Sequence, residues 1–114
     1  MIQYFFPIIK VIFHDSLSWK EKLVAAKEAG YDYVELSVDA TEHRIQRTDM
    51  NKEEWLELVS LMYETGMPIR SMCVSALTKY SLGNDKEEYA SRGMEILEKS
   101  INLAEDLGVR AIMI

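Results

Sequence analysis

Asn51 to Val74 reads NKEEWLELVSLMYETGMPIRSMCV. Asn51, followed at the third position by Glu54, has the form of a capping box. The first side chain accepts from an otherwise unpaired amide of the first helical turn, and the glutamate reaches back to the cap. Trp55, Leu58, Val59 and Met62 then recur at i, i+3, i+4 and i+7, which is one apolar face of a helix. Gly66 stands where that periodicity stops, and a residue without Cβ suits the left-handed position that closes a helix. Ile69–Val74 follows as a short apolar run, the pattern of a parallel strand buried on both faces.

The same order of cap, helix, glycine and strand lies on either side. Upstream, Ser18 with Glu21 opens a helix that ends near Gly30, and Tyr33–Val38 is the strand. Downstream, Asp85 with Glu88 opens a helix that ends near Gly108, and Val109–Ile114 is the strand. Met94, Leu97, Ile101 and Ala104 mark the apolar stripe expected to pack this last helix into the core. A further strand is expected near Ile8–Phe13, with Pro7 near its start. The closing glycines are 36 and 42 residues apart, a spacing that suits a repeated βα unit. The chain therefore reads βαβαβαβ, an α/β domain with about four parallel strands and three helices. No G-x-G-x-x-G follows the first strand and no P-loop is present. The pattern alone fits an open doubly wound sheet or part of a barrel.

Composition narrows the function classes. The 114 residues suit a single domain, 1–114, with no linker or low-complexity tract. The net charge of −6 argues against a nucleic-acid partner, because phosphate binding needs a basic face. The apolar stretch Tyr4–Phe13 is too short to span a bilayer, and it lacks the basic flank and cleavage site of a signal peptide, so no membrane partner is expected. Cys73 is the only cysteine, which excludes an intrachain disulfide and fits a reducing cytoplasm.

In a parallel α/β protein, chemistry gathers at the C-terminal ends of the strands. Along the second strand Val34, Leu36 and Val38 point one way, and Glu35, Ser37 and Asp39 the other. Carboxylates on the inner face of a buried strand are costly unless paired or functional. Glu35 is therefore either substrate-facing or one half of an internal ion pair. On the third strand Ile69, Ser71, Cys73 and Ser75 are expected to share a face, leaving room for a ligand or filling a tapering core. Cys73, with no histidine near it in sequence, reads as a buried thiol rather than a nucleophile. Asp39–Asp49 reads as a solvated loop after the second strand. Its Arg44 and Arg47 are residues that suit a phosphate through bidentate hydrogen bonds. His14 and His43 stand in no metal-binding pattern.

Tyr31-Asp32-Tyr33-Val34-Glu35-Leu36-Ser37-Val38-Asp39, with Arg44 and Arg47 following, resembles the L-ribulose-5-phosphate 3-epimerase family. That family includes proteins labelled hexulose-6-phosphate isomerase and belongs to the xylose-isomerase-like barrels. The resemblance continues through Glu64-Thr65-Gly66, Ser71-Met72-Cys73-Val74-Ser75-Ala76, Leu82-Gly83 and Ala104-Glu105-Asp106-Leu107-Gly108-Val109-Arg110, roughly Trp19 to Ile114. It implies a partial (β/α)8 barrel, a sugar-phosphate substrate, and substrate contacts at Glu35, Ser37, Ser75 and Arg44. It also implies a divalent metal held by Glu, Asp, His and Glu of later strands, at positions beyond Ile114.

The sequence departs from the family in two places. Ile8–Asp15 does not match the family's Gly-Ile-Tyr-Glu-Lys-like opening strand. Leu77, Thr78 and Lys79 stand where the family often has His-Arg-Arg. A whole barrel needs about 250 residues. The expectation is therefore the N-terminal part of an epimerase, with no catalytic residue or metal ligand of its own and no activity alone. The alternative is a non-catalytic half-barrel that self-associates through open sheet edges or joins a complementary half. A separate small open-sheet binding module is a third reading.

Overall fold

The structure, a computed structural model, describes the backbone of residues 9 and 10 and the whole of residues 16–114. The expectations for Pro7, His14 and most of the strand near Ile8–Phe13 lie outside the described residues.

The elements run β1 (Ile9–Lys10), α1 (Trp19–Glu28), β2 (Val34–Ser37), α2 (Glu42–Ile45), a 3-10 turn (Gln46–Asp49), α3 (Lys52–Thr65), β3 (Ile69–Cys73), α4 (Ala76–Lys79), α5 (Glu87–Leu107) and β4 (Ala111–Met113). The strands form one parallel sheet in the order β1-β2-β3-β4. Sequential order is that of a barrel segment, whereas the doubly wound alternative would reverse about its first strand. Helix α1 packs on α3, and α3 on α5, so the helices follow the same succession.

The caps show why these segments are helical. Ser18 Oγ accepts from the Glu21 amide at 3.2 Å, and Glu21 Oε1 from the Ser18 amide at 3.0 Å, a complete capping box. Asn51 Oδ1 accepts from the Glu54 amide at 2.9 Å, the forward half of the expected box, while the Glu54 side chain does not reach back to the Asn51 amide. The three closing glycines take positive φ, 85° at Gly30, 68° at Gly66 and 72° at Gly108.

One apolar cluster joins Leu23 and Ala26 of α1, Leu58 of α3, and Ile96, Leu103 and Leu107 of α5 to Val34, Leu36 and Met72 of the sheet. Val34, Leu36 and Val38 thus face the helices, and Glu35 and Ser37 face away from them. A fully buried leucine contributes about 1.5–3 kcal/mol. An exposed pair such as Lys20–Glu64 contributes about 0.2–1 kcal/mol. Burial, not surface charge, holds the helices on the sheet.

Four expectations need correction. Two short helices, α2 and α4, add to the three long ones. The first of them, with the 3-10 turn, replaces the loop expected over Asp39–Asp49. Asp85 does not cap α5. Lys86 holds that position without a side-chain bond, and Asn84 Oδ1 accepts the Lys86 amide at 2.9 Å in a turn just before the helix. Glu87 and Glu88 remain to favour the positive helix end.

The third correction concerns the face of α5. Met94 and Ile101 are 56% and 51% exposed. The buried face is Gly93, Ile96, Ser100, Leu103, Ala104 and Leu107, so of the expected stripe Ala104 is buried and Leu97 packs partly buried against the core, while Met94 and Ile101 turn outward. Hydropathy does not mark Gly93 or Ser100 as contact positions, yet their small size sets how closely the helix approaches. A Cβ on Gly93 would meet the Tyr80 carbonyl oxygen at 1.9 Å.

The fourth correction is to parity in β3. Val34 pairs with Ile69, but Glu35 pairs with Ser71, so Arg70 is an extra residue in the ladder. Ile69 therefore registers with helix-facing Val34 and joins the apolar cluster instead of sharing the face of Ser71 and Cys73.

Candidate functional site

The C-terminal ends of β2 and β3 are laced together beyond their last ladder residues. The Val38 amide donates to the Cys73 carbonyl at 2.9 Å, and the Ala76 amide to the Val38 carbonyl at 3.0 Å. This fixes the starts of the two following segments side by side.

After β2, Asp39 organises the turn. Its Oδ1 accepts from the Thr41 amide at 2.9 Å and from the Thr41 hydroxyl, and its Oδ2 pairs with Arg44 Nη1. Partial burial pushes the Asp39 carboxyl up, but the Thr41 hydroxyl, the Thr41 amide and the Arg44 guanidinium together outweigh it and hold it down at about 2. Arg44 is thus oriented by a fixed negative charge. Arg47 turns the other way. Its Nη1 donates to the Ser37 carbonyl at 2.6 Å, and its guanidinium lies 5.1 Å from the centre of the Trp19 ring. The Lys22 ammonium is 4.8 Å from the centre of the same ring.

Helix α5 braces this segment from the side. Lys99 Nζ reaches Asp49 at 2.7 Å and Glu95 at 3.0 Å, and Arg92 reaches Glu42 at 3.4 Å. The two contacts from Asp49 and Glu95 push the Lys99 ammonium pKa up. Sequence spacing does not reveal this brace, because its partners are 50 residues apart.

Glu35 lies deeper. It is buried in β2, and its Oε2 accepts from Ser71 Oγ at 2.8 Å. Its Oε1 is buried without a hydrogen-bond partner among the described residues. Alternation placed Glu35 and Ser71 on inner faces, but only the shifted register shows that they meet. Ser37 is buried at the end of β2. Ser75 is exposed just past β3, at the start of α4, with no side-chain cap bond. Glu35 and Ser71 pair within the ladder, whereas Ser75 lies two residues past the end of β3. The structure therefore gathers Asp39 and Arg44 at the strand ends beside the Ser75 segment, and leaves Glu35 with Ser71 below them. Cys73 is half-buried on β3 between these levels.

No group of three or more His, Cys, Asp or Glu able to hold a metal occurs among the described residues. Asp39 already spends both oxygens on Thr41 and Arg44. These residues do not fit a divalent metal. Among the described residues no helix is long and apolar enough to cross a membrane.

A family profile described as xylose isomerase-like TIM barrel matches residues 23–114. The chain is 43% identical over 96 residues to L-ribulose-5-phosphate 3-epimerase UlaE of Salmonella heidelberg (strain SL476), covering 84% of the chain and 34% of that protein. It is 46% identical over 98 residues to putative L-ribulose-5-phosphate 3-epimerase SgbU of Escherichia coli (strain K12), covering 86% of the chain and 34% of that protein. The chain thus spans about a third of the length of the curated relatives it matches.

Proposed function

The chain belongs to the xylose isomerase-like TIM barrel family, and on that premise we propose that these residues are the N-terminal part of a sugar-phosphate epimerase. The substrate class is a ketose phosphate of the L-ribulose 5-phosphate type, and the setting is the cytoplasm. The observation that carries the reading is the identity to the two epimerases across more than four-fifths of the chain.

In this reading the chain supplies binding groups. Arg44, held by Asp39, presents a guanidinium to the phosphate. Ser75 offers an exposed hydroxyl at the end of β3. Ser37 offers a hydroxyl and the unpartnered oxygen of Glu35 an acceptor at the floor of the site. Epimerisation beside a carbonyl needs a proton removed from one face and returned to the other. No described pair of groups is disposed to do both, so the four residues are assigned to binding and none to proton transfer. The divalent metal implied by the resemblance would be held by later strands of a whole barrel.

The test is a chimera. Residues 19–114 replace the matching segment of the Salmonella epimerase, and turnover of L-ribulose 5-phosphate is measured. Retained turnover supports the reading, and a folded but inactive chimera overturns it.

A further inference from the structure

The starts of β3 and β4, opposite the end just described, border a cavity of about 600 Å3. Met62, Ile69 and Leu107 give it an apolar floor, Tyr63 an aromatic rim that is 86% exposed, and Arg70 and Arg110 two cations.

Three observations set these arginines apart. First, Arg70 is the extra residue where the β2–β3 register slips, and such a slip re-aims a side chain. Its guanidinium lies 6.0 Å from the centre of the Tyr33 ring, and its carbonyl accepts from the Arg110 amide at 3.3 Å. The two guanidinium-bearing residues are thereby tied side by side at the strand starts. Second, neither makes an ion pair among the described residues, although the chain carries a net charge of −6. Third, a further ammonium approaches from α1. Lys27 Nζ lies 3.6 Å from where a Cβ on Gly66 would be.

The helix ends do not account for this charge. The C-termini of α3 and α5 both point to this end, each equivalent to roughly half a negative charge. Lys27 already stands at the α3 end. The last carbonyls of α5 accept from the Gly108 and Val109 amides at 3.2 and 2.8 Å. Lys27 and the Gly108 and Val109 amides thus answer the two helix ends, which leaves Arg70 and Arg110 beside an apolar floor.

We propose that this cavity is a second ligand site, distinct from the strand-end site, which takes a small amphipathic organic anion. Its phosphate or carboxylate lies between Arg70 and Arg110, and its apolar or aromatic body lies on Met62, Ile69 and Leu107 against Tyr63. The proposal does not depend on the substrate assigned above, because the two sites lie at opposite ends of the strands.

The experiment is isothermal titration of the full 114-residue chain with phenyl phosphate, inorganic phosphate and phenol. Phenyl phosphate is expected to bind more tightly than either part alone. Arg110→Gln is expected to weaken it about tenfold, and Arg70→Gln to do the same. Lys52→Gln removes the same charge from a helix start outside the cavity and is expected to leave binding unchanged. The proposal is overturned if phenyl phosphate does not bind, or if inorganic phosphate or phenol binds as well. It is also overturned if Lys52→Gln weakens binding as much as the arginine variants.

Discussion

Gly93 and Asp39 show how much single positions carry. A Cβ at Gly93 has no room, since the Tyr80 carbonyl carbon and oxygen would lie 3.0 and 1.9 Å away and both are backbone. Gly93→Ala gains helix propensity but forces α5 off the α4 segment. The overpacking cost of about 1–3 kcal/mol exceeds the propensity gain of about 1 kcal/mol. The variant is expected to lower the urea midpoint, and an unchanged or raised midpoint would refute the close contact. Asp39 acts through charge. Its carboxyl titrates near 2 in the folded chain, below the ordinary 3.8, so the charged form favours folding. That contribution is complete above about pH 4 and is lost as pH falls toward 2. Asp39→Asn should therefore flatten the acid limb of stability between pH 4 and 2. Thermal melts of both chains across that range give the comparison, and parallel acid limbs would exclude the role.

At the scale of elements, what could be read from sequence depended on whether local chemistry decided the outcome. The helix starts at Ser18 and Asn51 and the closing glycines are local events, settled by amides within one turn and by the lack of a Cβ. They stand where the sequence puts them. Strand order followed from the repeated cap, helix, glycine and strand together with the family resemblance. The face of α5 was hidden, because Met94 and Ile101 satisfy a helical period as well as the true contact row does. What selects the row is the close approach at Gly93, a tertiary fact. The Glu35–Ser71 contact was hidden for a related reason, since one extra residue in β3 shifts which side chains meet. The α5 phase has its own test. Leu103→Ala is expected to cost about 2–5 kcal/mol, because Leu103 is buried. Ile101→Gln on the exposed row should change stability by less than about 0.5 kcal/mol. Chemical denaturation of both variants decides between the rows, and equal losses would restore the stripe of Met94 and Ile101 to the core.

For residues 16–114 taken together, the outer side of β4 is the feature that bears on association. β4 pairs with β3 on one side, and no described strand pairs with its other side. Its flank is apolar, with Met113 and Ile114 49% and 77% exposed, and Met94 and Ile101 of α5 lie on the outward row. A strand edge with unpaired amides and carbonyls is a template for another chain, and charge is the usual means of blunting it. β4 itself, Ala111–Met113, carries no charged residue. The 114 residues by themselves are therefore expected to associate, with a solution mass above 13.2 kDa that rises with concentration. Met113→Lys puts a charge on the edge strand and should shift the equilibrium toward monomer without unfolding, since that side chain is half exposed. Sedimentation velocity of the two chains at several concentrations is the measurement, with L-ribulose 5-phosphate turnover assayed on the same samples in the presence of divalent metal. Association that is relieved by Met113→Lys, without turnover in either chain, supports a barrel segment with an open edge at β4 and no proton-transfer group of its own. A monomer at every concentration would show that the edge is already protected. Metal-dependent turnover would show that Asp39, Glu35 and their neighbours hold a metal after all, against the engaged oxygens of Asp39 and the absence of a ligand cluster among the described residues.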